Sequence, residues 1–327
     1  MNMAGLNRFW VFLVAVALAF GADAAFPQDY PNRPIRLIVP AAPAGAADTL
    51  SRLLGQKLGE SWGTQVIVDN RVGAAGIVGM EAIAKAPNDG YTIGMGFAGT
   101  LAVNPSLYAK LPYDALRDYT PVALVAHSPL LLVVNPSVPA NSVSELIALA
   151  KSKPGQLNYA SNGSGSTQHL TVELLKSMTG INITHVPYKG SGQSNSDLVS
   201  GQVQMMMDNM VSLLPLARSG RVRALAVSTD RRSQAMPELP TLSEAGVPGY
   251  AAAGWYGVIA PAGTDPRIVA KLSAEIGRIL RLKDVRERLL ILGSEPVGST
   301  PEEFGAYIRA ETVKWGKIVK DSGARAE

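Results

Sequence analysis

The stretch Tyr159-Ala-Ser-Asn-Gly-Ser-Gly-Ser-Thr-Gln-His-Leu170 decides how this chain folds and where a ligand would bind. Its first residues are typical of a short strand, residues 161–166 are small or polar, and Leu170, Leu174 and Leu175 then share one face of a helical pattern. A strand, a glycine–serine turn and a new helix leave backbone N–H groups free where the helix dipole favours negative charge. The stretch therefore predicts an anion site, although an ordinary N-capped turn of an α/β protein uses the same residue types.

Similar turns of small residues follow the predicted strands that end at Val39, Val68 and Val186. Strands and helices alternate around them, and this alternation predicts an α/β protein with largely parallel sheets. Ligands of such sheets bind beyond the carboxyl ends of the strands. Since several turns of this kind recur along the chain, binding of a small anion is a better explanation than coincidence.

The composition excludes some classes of protein. The chain has 327 residues, 47% of them apolar, which allows one large domain or two ordinary ones. The net charge of +4 is modest and no cluster of basic residues occurs, so we expect no nucleic-acid partner. Cysteine is absent, which excludes disulfides and thiolate chemistry.

The N-terminus carries the pattern of an export signal. Arg8 precedes the apolar residues 9–20, and Ala22-x-Ala24 fits the site at which a signal peptide is cleaved. A membrane anchor is the alternative, but this apolar run is short for crossing a bilayer. We therefore predict a signal peptide at residues 1–24 and a mature protein in the periplasm.

Chemistry-bearing motifs are scarce. The chain contains no Walker loop and no Gly-x-Ser-x-Gly motif, and its three histidines lack metal-binding spacing. Asp208 ends a predicted strand, but one acid without a partner base is weak support for catalysis. His169 can face the predicted anion site or pack behind it. Lys189 can supply positive charge to that site or lie in solvent. We predict a binding protein, not an enzyme, with no cofactor and no metal.

Short motifs spread along the chain resemble those of one protein family. They are Val39-Pro-x-x-Pro-x-Gly-x-x-Asp48, Asn70-Arg-x-Gly-Ala-x-Gly76, Ala86-Pro-x-Asp-Gly-Tyr-Thr92, Tyr159-Ala-Ser-x-Gly-x-Gly-Ser166, His185-Val-Pro-Tyr-Lys-Gly190 and Leu239-Pro-Thr-Leu-x-Glu-Ala-Gly246. In this order and over this length they resemble the periplasmic substrate-binding proteins of tripartite tricarboxylate transporters, also called the Bug family.

The resemblance implies a two-lobed α/β periplasmic binding protein, type II-like, that closes as a flytrap. Each lobe would be a mostly parallel sheet flanked by helices, with a two-strand hinge crossing near Ala126 and Tyr250. Residues 25–126 and 250–327 would form lobe 1, and residues 127–249 lobe 2. The implied partners are a small carboxylate, either a di- or tricarboxylate or an aromatic acid, and membrane permease subunits. We expect the protein to be a monomer. The alternatives to a role in transport are a ligand sensor for a signalling partner and a periplasmic enzyme that acts on a carboxylate.

The turns and the resemblance together give the candidate ligand-binding residues. They are Pro43, Ala44, Gly45, Ala46, Asp48, Ala74, Ala75, Gly76, Gly99, Thr100, Ser161, Gly163, Ser164, Ser166, Thr167, His169, Lys189 and Asp208. The first turn departs from the family pattern, because Ala41 stands where an aromatic residue is usual and Ala47 where threonine is usual. This departure favours a roomier pocket and a bulkier acid.

Overall fold

The computed structural model describes residues 30–43 and 45–324. The predicted signal peptide and Ala44 lie outside the described residues. The chain divides into two units, Met1–Asn32 and Arg33–Glu327, and the helices and strands described below all belong to the second. Within the described residues, no helix combines the length and apolar character needed to cross a bilayer.

Strands and helices alternate along most of the second unit. In chain order the elements are β1 (Ile35–Val39), α1 (Ala46–Trp62), β2 (Val66–Asn70), a 3-10 turn (Ala74–Gly76), α2 (Ile77–Ala84), β3 (Thr92–Phe97), a π-helical turn (Gly99–Val103), α3 (Asn104–Leu107), β4 (Tyr119–Ser128), β5 (Leu130–Val134), α4 (Val143–Ser152), β6 (Asn158–Ser161), α5 (Thr167–Thr179), β7 (Thr184–Pro187), α6 (Ser191–Ser200), β8 (Met205–Asn209), α7 (Met210–Arg218), β9 (Arg223–Val227), β10 (Gly254–Pro261), α8 (Pro266–Leu280), α9 (Lys283–Ile291), β11 (Glu295–Pro296) and α10 (Pro301–Ser322).

The strands form two sheets flanked by helices, as the α/β prediction requires. The first sheet has the order β11-β4-β10-β3-β1-β2, and the second has the order β7-β6-β8-β5-β9. The first sheet thus draws on two separate parts of the chain, and the second takes all its strands from the part between them. The lobe boundaries predicted above remain a prediction.

The expectation of mostly parallel sheets needs correction, because both sheets are mixed. β1 pairs in parallel with β2 and β3, and β6 does so with β7 and β8. β10 is antiparallel to β3 and β4, and β5 is antiparallel to β8 and β9. β5 and β10 are the strands through which the chain enters each sheet from the other. They start at the edge where the parallel strands end, so they run in the opposite direction.

Hydrogen bonds tie the two sheets together where the chain crosses between them. Ser128, the last residue of β4, donates from its hydroxyl to Asn209 Oδ1 at 3.1 Å. Just after β9, the Ser228 carbonyl accepts from Ala252 N, just before β10, at 2.9 Å. Within the second sheet, the Ser228 hydroxyl accepts from Leu130 N at 3.0 Å. These bonds keep the strand ends of both sheets at one common edge.

A buried carboxylate fastens the last helix to the first sheet. Glu311 on α10 accepts hydrogen bonds from two buried indoles, Trp255 Nε1 at 2.9 Å and Trp315 Nε1 at 2.8 Å. Lys314 forms an ion pair with the same carboxylate. The ring of Trp255 also meets Phe304 edge-on, with centroids 5.8 Å apart. α10 is therefore held to β10 by polar bonds inside an aromatic cluster.

We predict that Glu311→Ala lowers the free energy of unfolding by about 3 kcal/mol, because two buried indole donors lose their acceptor. Glu311→Gln keeps an acceptor oxygen and should cost less. The exposed Arg309 on the same helix provides a control, and Arg309→Ala should stay within about 0.5 kcal/mol of wild type. Urea unfolding followed by tryptophan fluorescence measures all three variants. Equal stability of Glu311→Ala and the control would contradict the assigned role.

Candidate functional site

A cavity of about 650 Å³ lies between the strand ends of the two sheets. One wall comes from the turns after β1, β2 and β3, and the facing wall from the turns after β6 and β7. Gly254, Trp255 and Tyr256, at the start of β10, line it between these walls. The cavity therefore occupies the edge at which α/β sheets bind ligands.

The first wall is built from small residues on a strained backbone. Ala74 and Ala75 both have positive φ, 43° and 52°, a region that side chains other than glycine rarely occupy. Asn104 Nδ2 holds this turn by donating to Ala75 O at 3.2 Å. At Gly76, a Cβ would lie 2.9 Å from Pro40 O, so the turn after β2 packs directly on the turn after β1. Strain of this kind persists where the surrounding structure enforces it, and it is concentrated at binding sites.

The second wall contains the starts of two helices. Ser166 is the N-cap of α5, and its hydroxyl accepts from His169 N at 3.2 Å. α6 begins at Ser191, directly after Gly190. Both helix starts line the cavity. The first N–H groups of a helix have no partner within it and carry partial positive charge, so this wall suits an anion.

The buried carboxylate of Asp208 accepts hydrogen bonds from several side chains of the second wall. It accepts from Gln168 Nε2 at 2.7 Å, from Ser191 Oγ at 2.8 Å and from Asn209 N at 2.7 Å, and more distantly from Asn162 Nδ2. Burial raises the pKa of the Asp208 carboxyl, and the hydrogen bonds it accepts oppose that rise. One buried acid thus fixes the side chains of three neighbouring segments.

Formal charge is almost absent from the cavity. Among the described lining residues, Lys189 is the one with a charged side chain. The described part of the lining contains no arginine, the residue whose paired donors proteins often use to bind carboxylates. An anion in this cavity would depend on backbone N–H groups, hydroxyls and amides.

Most of the predicted site residues meet at this cavity. Those that line it are Pro43, Gly45, Ala46, Ala74, Ala75, Gly76, Gly99, Ser164, Ser166, Thr167 and Lys189. Ala44 lies outside the described residues. The turns that follow parallel strands converge because parallel strands end at one edge of a sheet.

The other candidates lie behind the walls: Asp48, Thr100, Ser161, Gly163, His169 and Asp208 are not among the lining residues. Thr100 is fully buried, and its hydroxyl exchanges hydrogen bonds with the backbone of Phe97 at 3.1 and 3.2 Å. Asp48 is bound by Arg52 on the next turn of α1. These residues support the wall, since their polar groups already have partners inside the protein.

The sequence prediction missed several lining residues. They are chiefly Asn104, Asn162, Gln168, Ser191, Asn209, Phe97 and Tyr256. Asn162, Gln168 and Ser191 sit in the very turns that carried the prediction, so including every polar residue of those turns would have found them. Phe97 and Tyr256 belong to strands, and strand sequence does not indicate which face is turned to the cavity.

One pair behind the wall has the geometry of a nucleophile and its base. Ser161 Oγ lies 2.6 Å from His185 Nε2. Ser161 is fully buried, does not line the cavity, and also bonds within its own turn, to the backbone N–H and C=O of Gly163. The pair therefore braces the turn from a position that a ligand in the cavity does not touch.

Known proteins share both the sequence and the fold. Residues 50–324 match the family described as "Tripartite tricarboxylate transporter family receptor". Protein BugT of Bordetella pertussis (strain Tohama I) is 40% identical over 327 residues, covering 99% of each chain.

Solved structures of related proteins share the fold of this chain. Rpa4515 of R. palustris, solved with adipate, has a TM-score of 0.85 at 40% identity and covers 91% of this chain and 99% of its own. MatC (Rpa3494) of Rhodopseudomonas palustris, with bound malate, has a TM-score of 0.79 at 34% identity and covers 89% of this chain and 100% of its own. The chain thus has the fold of a periplasmic binding protein, and it belongs to the receptor family of the tripartite tricarboxylate transporters.

Proposed function

We propose that this protein captures a small carboxylate in the cavity between its two sheets and delivers it to the permease subunits of a tripartite transporter. The observation that carries the proposal is the second wall, where two helix starts and a set of fixed amides and hydroxyls face a cavity with one cationic residue. The relatives solved with adipate and with malate support the same class of ligand.

The two walls fit a ligand that contacts both lobes. α1 begins at Ala46 in the first wall, and α5 and α6 begin in the second, so both walls offer helix starts to an acid. We propose the lobes as residues 25–126 with 250–327, and 127–249, closing on the ligand as a flytrap. A ligand between lobes gains the contacts of both walls only in the closed form.

The body of the ligand would lie against apolar surface. Phe97 and Tyr256 both line the cavity, with ring centroids 6.1 Å apart. Ala41 and Ala42 add small side chains on the same side as the first helix start. We infer room for a bulkier acid, including an aromatic one, in place of a small amino acid. A cavity of about 650 Å³ is within the range of small-molecule sites.

Capture without chemical change is favoured by the polar groups of the site. The oxygens of Asp208 and the hydroxyl of Ser161 are engaged within the protein, so neither is placed to act on a ligand. We propose that the protein acts in the periplasm as a monomer. A sensor role would use the same cavity, and it differs in the partner that recognises the closed form.

Calorimetry against adipate, malate, citrate, glutamate, nicotinate and terephthalate tests the ligand class. We expect at least one of the larger acids to bind, with heat from charge-assisted hydrogen bonds, and small-angle scattering to show a smaller radius when it does. Binding of glutamate alone would contradict the bulky-acid proposal. No binding by any of the six acids would contradict carboxylate capture itself.

Replacement of Asp208 tests the second wall. Asp208→Ala removes the shared acceptor of Gln168, Asn162 and Ser191, so we expect the affinity for the bound acid to fall at least about tenfold. Glu238→Ala, which removes an exposed acid outside the cavity, should leave the affinity unchanged and controls for net charge. Circular dichroism checks that both variants are folded. A folded Asp208→Ala variant with wild-type affinity would refute the role of this wall.

A further inference from the structure

Three aromatic rings stack directly behind the glycine loop, which we define as residues 161–166. The rings of His169 and His185 lie 4.1 Å apart between centroids, 14° from parallel, and the ring of Tyr159 stacks with both, 4.9 Å from His185 and 6.4 Å from His169. His169 comes from α5, while Tyr159 and His185 come from the neighbouring strands β6 and β7. The stack therefore joins the elements on both sides of the loop.

His169 holds one end of the glycine loop. Gly165 N donates to His169 Nδ1 at 2.9 Å. Gly165 lines the cavity with a φ of 77°, and a Cβ there would lie 2.0 Å from Leu107 Cδ2. This nitrogen accepts a hydrogen bond, so it must be unprotonated, and the ring can carry its proton only on Nε2. Protonation of the ring would turn an acceptor into a donor facing the Gly165 N–H.

His185 holds the other end. Its Nε2 lies 2.6 Å from Ser161 Oγ, and that oxygen is 3.2 Å from Gly163 N and 3.1 Å from Gly163 O. The two histidines thus reach the loop at Ser161 and at Gly165, on either side of Gly163. Because the rings are stacked at 4.1 Å, a charge on one disfavours a charge on the other.

Among the described residues, the charged groups that act on the pair are Glu173 and Lys176, both on α5. Glu173 Oε1 is 3.9 Å from His169 Nε2, and it also accepts from Tyr159 OH at 2.5 Å and from Lys176 Nζ at 2.7 Å. Burial lowers the pKa of His169, an effect that Glu173 opposes and Lys176 assists. Burial and then the field of His169 lower the pKa of His185 to about 4. Both rings are therefore neutral at pH 7.

We propose that His169 and His185, as a neutral stacked pair, are positioning residues that set the glycine loop for ligand binding, and that protonation of the pair releases the loop and weakens binding. This inference rests on the proposed capture of a carboxylate. Neither histidine lines the cavity, so both act through residues 161–166.

The direction of the pH effect follows from the lowered pKa values. A histidine whose pKa is lower in the folded state stabilises that state fully above its ordinary value of 6.5, and this contribution is lost as the pH falls from there towards about 4. Loop order and affinity depend on protonation in the folded state, so we expect them to decline as each ring passes its lowered pKa, about 4 for His185.

Nuclear magnetic resonance of the ligand-free protein tests the pair without reference to any ligand. The chain has three histidines, so their ring nitrogens can be assigned individually. At pH 7 we expect His169 to be neutral with its proton on Nε2, and the Gly165 amide signal to shift as the ring titrates. A proton on Nδ1, or a charged ring at pH 7, would overturn the proposal.

Two replacements of His169 distinguish the effect of its hydrogen-bond acceptor from the effect of the space that its side chain fills. In His169→Asn a carbonyl oxygen can stand near the place of Nδ1 and cannot titrate, whereas His169→Leu offers no acceptor. The ligand is adipate, or the acid that binds wild type most tightly in the calorimetry if adipate does not bind. At pH 7.5 we expect the affinity of His169→Asn to lie within about threefold of wild type. The affinity of His169→Leu should be about tenfold weaker than that of wild type. At pH 4 wild type should lose affinity relative to the His169→Asn variant, and comparing the two proteins at the same pH cancels the effect of the ligand's own protonation.

His127→Asn is the matched control, because His127 packs against Tyr307 and does not line the cavity. Its pH profile should follow that of wild type.

Equal affinities of His169→Asn and His169→Leu, or a wild-type pH profile in His169→Asn, would overturn the inference. If His169→Leu does not fold, the pH profile of His169→Asn and the tautomer of the His169 ring still test the inference. Failure of wild type to bind any acid would instead count against the proposed function, while the tautomer would still test the pair.

Discussion

A carboxylate that leaves water must find hydrogen-bond donors for both oxygens, and this constraint explains how the cavity is built. Helix starts supply such donors from the backbone, without the charge of an arginine. The βα turns bring those starts to one edge of each sheet, and the crossing strands bring the two edges face to face. Small residues in the turns let a ligand approach the backbone closely.

Donors of this kind bind well only when they are held in place, and much of the surrounding structure serves that purpose. Asn104 holds the strained turn at Ala75 in the first wall. Asp208 gathers the side chains of the second wall, and the histidine pair braces the glycine loop. The polar atoms that do this bracing already have hydrogen-bond partners inside the protein, so they hold the walls whether or not a ligand is bound.

Much of this arrangement could be predicted from the sequence, because turns after parallel strands must converge. Ser166 and Lys189 line the cavity where the pattern indicated. Thr100 and His169 follow the same strand ends but turn inwards, since local hydrogen bonds to Phe97 and Gly165 fix their side chains. Sequence pattern does not contain these side-chain directions. It also did not reveal that the crossing strands reverse direction and make both sheets mixed.

The central claim is that backbone donors of two facing walls, and not a cationic clamp, hold the acid. A crystal structure of the protein with its bound acid tests this most directly. We expect carboxylate oxygens within hydrogen-bond distance of N–H groups at the start of α5 or α6. The rest of the ligand should lie against the wall formed by Ala74–Gly76 and the turn after β1. A carboxylate paired with Lys189 alone, or bound outside the cavity, would contradict it.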